Sequence, residues 1–266
     1  MIDLHVIQQQ AAALIREAGA RIAATTIAPV HEKWGHFNFV TETDAAIQEF
    51  LRGNLLSLVP GSEFFAEEQE NAEMTDAYTW VVDPVDGTYN FIRGRGWSSV
   101  SIALLKDKQP VLGLIYQPYS DELFTAIRGE GAFLNGKPIH VTHNPLEKAL
   151  PAIGTSPDYA ELANATCYVI HEFLTKGGDI RRVGSAALDC CDVACGRADI
   201  FCELTLSPWD FSAGALLIEE AGGMFMMPYN ENEQVDFSKP ACILASNPEC
   251  REAAREIVLK ARELIQ

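Results

Sequence analysis

An α+β fold in stacked layers is what this sequence predicts, and three observations predict it. Two helix-periodic segments come first. Short alternating runs separated by turn signals fill the middle and read as an antiparallel meander. Beyond Pro151, strand-like and helix-like segments alternate, giving a mixed α/β second half. No repeat or low-complexity linker interrupts the chain. One domain of two lobes, approximately residues 1–148 and 149–266, is the expected organisation.

Residues 2–24 place Leu14, Ile15, Ala18 and Ile22 on one helical face. A second helix is expected over 41–58, capped at Thr41 or Thr43 and stopped by Pro60-Gly61. Phe64-Phe65-Ala66 reads as a short strand ending in the paired acids Glu67-Glu68. Strands follow at 79–83, 99–106, 111–117, 122–128 and around 139–142, with turns such as Lys106-Asp107-Lys108 and Gln117-Pro118-Tyr119 between them. Asn135-Gly136 signals a hairpin. Gly129-Glu130-Gly131 reads as a turn ahead of it, because Leu134 stands where a dinucleotide-binding glycine would. In the second half, strands at 152–155, 179–183, 200–203, 223–227 and 242–245 alternate with helices at 159–175, 185–195, 210–220 and 248–264.

The chain has 266 residues, 48% of them hydrophobic, which is enough for a sizeable core. Its net charge of −17 argues against nucleic acid and anionic membranes as partners. No segment approaches a transmembrane run, and no basic-then-apolar leader pattern opens the chain, so cytoplasm is the expected compartment. Seven cysteines form no metal or disulfide framework. Cys190, Cys191 and Cys195 share a helical segment, Cys202 falls on a strand, and buried free thiols are expected. His31-Glu32-Lys33-Trp34-Gly35-His36 is one residue too long for a zinc protease motif and reads as a loop.

The richest stretch runs Trp80-Val81-Val82-Asp83-Pro84-Val85-Asp86-Gly87-Thr88-Tyr89-Asn90-Phe91. Trp80 to Val82 ends a buried strand, and Pro84 and Gly87 force a turn at its exit. Asp83 and Asp86 are thereby set on one corner with no basic residue between them. Carboxylates held this close repel unless a proton or a cation joins them, and oxygen ligands suit a hard divalent ion such as magnesium. The bland alternative is a solvated Asp-Pro turn. Downstream, Pro208-Trp209-Asp210-Phe211-Ser212-Ala213-Gly214 opens a helix that ends at Ala221-Gly222-Gly223, placing Asp210 in its first turn. Alone, Asp210 there reads as a cap.

Together these segments resemble the paired signatures of the inositol monophosphatase family, magnesium-dependent and lithium-sensitive phosphatases of small phosphate esters. The resemblance covers essentially the whole chain, including Phe39-Val40-Thr41-Glu42-Thr43-Asp44 and Glu67-Glu68. It implies an αβαβα sandwich with the site between lobes, commonly as a homodimer. It also implies two to three Mg2+ ions per site. Glu67, Asp83 and the carbonyl of Val85 would hold one, and Asp83, bridging, would share the second with Asp86 and Asp210. A third, weaker ion would sit near Glu67. Thr88 with Asp44 would orient the attacking water, with Glu67 part of the catalytic set. Gly87 and Thr88 offer backbone N–H groups to a phosphate oxygen. Asp86 would also touch a hydroxyl beside the phosphate, Gly184, Ser185 and Ala186 would line a polyol ring, and Glu203 would accept ring hydroxyls. Asp210 would stand beside the substrate as well as its ion. Lys33 aligns with a lysine near the phosphate.

Alternatives stay open at several positions. Thr88 reads equally as an N-cap for a turn beginning at Tyr89, Glu203 as part of a surface strand, and Lys33 as a solvated lysine. Arg93-Gly94-Arg95 stands where many relatives carry a histidine, Ser212 where alanine is common, and Ala66 where glycine is frequent. Arg93 and Arg95 read as a charged surface loop, or else as readers of a second phosphate or carboxylate. Inositol monophosphate is the expected substrate. Histidinol phosphate, fructose 1,6-bisphosphate or a 3′-phosphoadenylate nucleotide would use the same chemistry. A non-catalytic regulatory protein retaining the fold is the reading from a different class.

Overall fold

The computed structural model describes residues 2–25, 30–32 and 39–265. Helix α1 (Leu4–Ala24) is capped by Asp3, whose side chain accepts from the backbone of His5 and Val6. Strands β1 (Val30–Glu32) and β2 (Phe39–Thr41) pair antiparallel, and Thr41 caps α2 (Glu42–Leu58). A seven-stranded sheet follows, in the order β3 (Glu63–Ala66), β4 (Thr79–Asp86), β5 (Ser99–Lys106), β6 (Gln109–Gln117), β7 (Glu122–Ile127), β8 (Ala132–Leu134) and β9 (Lys137–Ile139). The short helix α3 (Thr88–Ile92) links β4 towards β5.

The second half holds a four-stranded sheet built from β10 (Pro151–Ile153), β11 (Ile200–Leu206), β12 (Met224–Met226) and β13 (Ala241–Ser246), in the spatial order β10-β11-β13-β12. Around it lie α4 (Ala163–Lys176), α5 (Ala186–Ala194), α6 (Pro208–Glu220) and α7 (Arg251–Ala261).

Strand periodicity assembles five layers. Along β4, Trp80 and Val82 face α1 and α2, burying Ile15, Ile22, Ile47 and Leu51 with them. Val81 faces the other way, onto α5 and α6, whose Cys190, Leu216 and Leu217 also meet Phe201 and Ile243 of the second sheet. The far face of that sheet, with Cys202 and Leu244, packs on Val169 of α4 and Ile257 of α7. The order helix, sheet, helix, sheet, helix is the αβαβα sandwich. Helix α6 lies between two sheets and is buried from Phe211 through Ile218, so it carries no polar face. Close approach sets its sequence too, since a Cβ on Gly214 would come 2.5 Å from Cys190 Cβ.

Several expectations need correction. The first sheet is not wholly a meander, because β3 pairs parallel to β4; antiparallel order begins only at β4. Residues 179–183 form one isolated bridge, Arg181 to Ala152, instead of a strand, since the chain turns away through Gly184 at φ +89° to start α5. Residues 140–142 leave the sheet, and Val141 donates to Ala221 O at 3.1 Å. The terminal helix starts at Arg251, after a turn in which Cys250 N donates to Asn247 Oδ1 at 2.9 Å. Asn135-Gly136 forms the expected two-residue hairpin between β8 and β9, with φ of 48° and 76°. All seven cysteines are free, but Cys167 is exposed and Cys195 half-buried.

Candidate active site

The expected break of β4 after Asp83 does not occur. The strand runs through Pro84 to Asp86, and its register against β5 shifts between Asp83 and Asp86. In a regular strand, residues three apart point to opposite faces. The bulge cancels that alternation, and it tolerates Pro84, which has no N–H for the ladder. Carboxylate oxygens of Asp83, Asp86 and Asp210 consequently lie within 4.8 Å of one another.

Each acid is held by its own element. Asp83 Oδ1 accepts from Val85 N at 2.9 Å. Asp210 is the third residue of α6, and its Oδ2 accepts from Ser207 N at 2.7 Å. Asp86 gathers four donors. Ser99 Oγ lies at 3.1 Å, Ala186 N at 3.2 Å and Ala187 N at 3.1 Å, and the Ser185 hydroxyl completes the set. Asp86 thus sits on the N-terminus of α5, where negative charge is favoured. Ser185 caps that helix, and Leu188 N donates to its Oγ at 3.3 Å.

At the next residue the chain must reverse. Gly87 takes φ +81°, and a Cβ there would lie 2.8 Å from Trp97 O. Gly87 therefore caps α3, and Thr88 is not the N-cap. The Thr88 hydroxyl faces two acceptors, Val85 O at 2.9 Å and Asp44 Oδ1 at 3.3 Å. Asp44 is buried in a capping box, with Thr41 N donating to Oδ2 at 3.0 Å and Asp44 N donating to Thr41 Oγ1 at 3.3 Å. Glu67, just past β3, does not join the three-aspartate set, but lines the same cleft of about 250 Å³ with Asp86, Gly87, Thr88, Glu203 and Asp210.

Electrostatics mark this corner. Burial raises the carboxyl of Asp83 well above the usual range, and the charges of Glu67, Asp86, Asp210 and Asp44 add to the rise. Asp210 is likewise raised well above, by burial first and then by Glu67 and Asp86. Asp86 is raised by burial against the pull of the Ser185 and Ser99 hydroxyls and the Ala187 and Ala186 amides. Asp44 is raised by burial, with Thr41 opposing. Two ionised groups about 5 Å apart repel by roughly 3 kcal/mol at an effective dielectric near 20. Several such pairs rival the whole stability of a domain, so the arrangement calls for a cation or for protons.

The opposite wall carries Glu203, half-buried on β11. Its Oε1 accepts from Ser156 N at 2.9 Å and Ser156 Oγ at 3.0 Å. Gly184, Ser185 and Ala186 line the cleft, and the Ser185 hydroxyl and the Ala186 N–H are engaged with Asp86. Arg93 and Arg95 lie outside it. Arg93 sits over the Tyr89 ring at 5.3 Å, and Arg95 donates to Asn90 Oδ1 at 3.4 Å. Lys33 lies outside the described residues, as does most of the His31 to His36 run.

Sequence reasoning passed over three residues. Ser99 reaches Asp86 from the neighbouring strand. The Asn90 amide donates to the carbonyls of Trp97, Val183 and Gly184, tying two loops to α3. Arg182 lines the cleft. Its adjacency to Gly184-Ser185 was the one available signal. A larger hollow of about 670 Å³, between residues 107–109 and 229–239, contains none of these acids.

Known proteins resemble this chain over nearly its whole length. A model of the inositol monophosphatase family matches residues 3–265. Inositol monophosphatase 2 of Solanum lycopersicum is 46% identical over 206 residues, covering 74% of this chain and 77% of that protein. Nus factor SuhB of Escherichia coli strain K12 is 37% identical over 226 residues, covering 83% and 85%. A solved IMPase/NADP phosphatase complexed with Mg2+ and phosphate superposes with a TM-score of 0.86 at 26% identity, covering 96% of this chain and 95% of that one. Among the described residues, no helix is long and apolar enough to cross a membrane.

Proposed function

The chain belongs to the inositol monophosphatase family and is a phosphoric monoester hydrolase; from that premise we propose that it hydrolyses the phosphate ester of a small polyol, inositol monophosphate first, using two to three Mg2+ ions. The observation that carries this reading is the convergence of Asp83, Asp86 and Asp210, whose oxygens come within 4.8 Å at the head of a cleft also lined by Glu67 and Thr88.

The donor set fits the ion. It consists of carboxylate oxygens plus the Val85 carbonyl, all hard ligands of the kind magnesium selects. Glu67, Asp83 and the Val85 carbonyl would hold one ion, Asp83, Asp86 and Asp210 another, and a third would be weaker, near Glu67. When bound, the ions supply positive charge to the phosphoryl oxygens and lower the pKa of a water from 15.7 towards about 7.

The chain's own residues do the rest. Thr88, donating to Val85 O or Asp44 Oδ1, keeps its lone pairs free to accept a proton from the attacking water. Positioning of that water in line with the leaving oxygen is the main demand of phosphoryl transfer. Gly87 and Thr88 open α3 with N–H groups suited to a phosphate oxygen. Glu203, immobilised by Ser156, accepts hydroxyls of the leaving group. The reading extends to a homodimer in the cytoplasm, as is common in the family, and to inhibition by lithium at millimolar concentration.

The test is phosphate release from inositol 1-phosphate, histidinol phosphate, fructose 1,6-bisphosphate and a 3′-phosphoadenylate nucleotide, with Mg2+ and with or without chelator. Release that is largest for inositol 1-phosphate and abolished by chelator is expected. Mg2+-dependent release favouring another ester would move the substrate and keep the chemistry. Absence of release across the panel would favour a non-catalytic role, of the sort the name of the Escherichia coli relative suggests for that protein.

A further inference from the structure

Among the described residues, every charged group lining the cleft is acidic except Arg182. Its Nε donates to Thr155 Oγ1 at 3.2 Å, its one hydrogen bond among the described residues. A guanidinium carries five N–H donors, so four are left over. The side chain is exposed, so water meets those donors when no ligand does. A Cβ on Gly184 would lie 2.8 Å from Arg182 Nη1, so the guanidinium folds across the glycine at the rim of the cleft.

Glu203 stands on the same wall. Two bonds from Ser156 fix its Oε1, and its other oxygen fills the space where Gly154 lacks a Cβ, 1.9 Å from that position. Arg182 and Glu203 are near enough for their charges to interact, the guanidinium drawing the Glu203 carboxyl down against the effect of burial. A positioned acceptor and a positioned donor with spare capacity therefore share one side of the site. That pairing matches a leaving group with adjacent hydroxyls, each able to donate through its hydrogen and accept through its oxygen. It suits a second phosphate less well, since Glu203 would repel one.

We propose that Arg182 is a specificity-determining residue, donating to a hydroxyl oxygen of the polyol while Glu203 accepts from a neighbouring hydroxyl. This rests on the reading of the protein as a polyol-phosphate phosphatase. Arginine suits the task because its fork holds a fixed direction, which a lysine ammonium does not.

The test compares wild type, Arg182→Gln and Arg182→Lys on inositol 1-phosphate, p-nitrophenyl phosphate, which has no hydroxyls, and fructose 1,6-bisphosphate. For Arg182→Gln the ratio of kcat/KM on inositol 1-phosphate to that on p-nitrophenyl phosphate should fall about tenfold or more, through KM. Arg182→Lys should recover part of that loss. An unchanged ratio in an active enzyme would overturn the proposal, leaving Arg182 as a counter-ion to the acids around it. A loss confined to fructose 1,6-bisphosphate would overturn it in favour of a second-anion site. Failure of the wild type on all three esters would instead sink the functional reading on which it rests.

Discussion

Asp199 and Asp83, two of the buried acids among the described residues, are built in opposite ways. Asp199, just ahead of β11, is 3% exposed and surrounded by donors. Asn144 Nδ2, Asn247 Nδ2 and Leu150 N reach it at 3.1, 3.2 and 2.7 Å, and the Thr142 hydroxyl joins them. Asp83 is 2% exposed and receives one short backbone bond, while four other carboxylates crowd its field. Burial is nearly equal, so burial does not separate them. The company does. Donors make a buried carboxylate a brace between loops, whereas fellow carboxylates make it a ligand in waiting.

That contrast is open to attack by mutation. Asp83→Asn should lower kcat by roughly a thousandfold or more, since an amide offers no charge to two ions. The fold should persist, and without metal the variant should melt no lower than wild type, because a like charge has been removed. Asp199→Ala should do the reverse. Four donors lose their acceptor, costing about 2–4 kcal/mol in chemical denaturation, while turnover per folded molecule stays close to normal. Equal effects of the two changes on both readouts would erase the distinction.

A pH series sharpens it. The carboxyls of Asp83 and Asp210 are raised in the metal-free fold, so the native state holds protons that the unfolded chain has already released. From the unfolded value, near 4, upward through the raised native values, stability should therefore fall as pH rises. Metal-free protein should melt lower near pH 7.5 than near pH 5, and Mg2+ should raise the melting temperature more at the higher pH. The same slope with saturating Mg2+ would show that these acids are not where the ion acts. The smallest effect is expected for Ser99→Ala, which removes one of four donors to Asp86 and should reduce kcat/KM roughly fivefold or less.

Much of this was legible before any coordinates. Asp83, Asp86 and Asp210 lie in local patterns whose turn and helix signals are strong, and Asn135-Gly136 announced its hairpin. Non-local features were not legible. The bulge that turns Asp83 and Asp86 to one side depends on pairing with β5, which single-chain periodicity does not report. Parallel pairing of β3 with β4 leaves no local mark. Ser99 carries no motif of its own and matters only because β5 lies beside β4. Residues 179–183 looked like a strand but form one bridge only, because ladder formation depends on where Gly184 sends the chain next.

Anomalous diffraction from a crystal soaked in Mn2+, a scatterer that shares magnesium's preference for oxygen ligands, tests the central claim most directly. At least two peaks are expected, one among Asp83, Asp86 and Asp210 and one between Glu67, Asp83 and the Val85 carbonyl, with none at Asp199. Density without peaks at the first corner, or with the strongest peak at Asp199, would contradict the account.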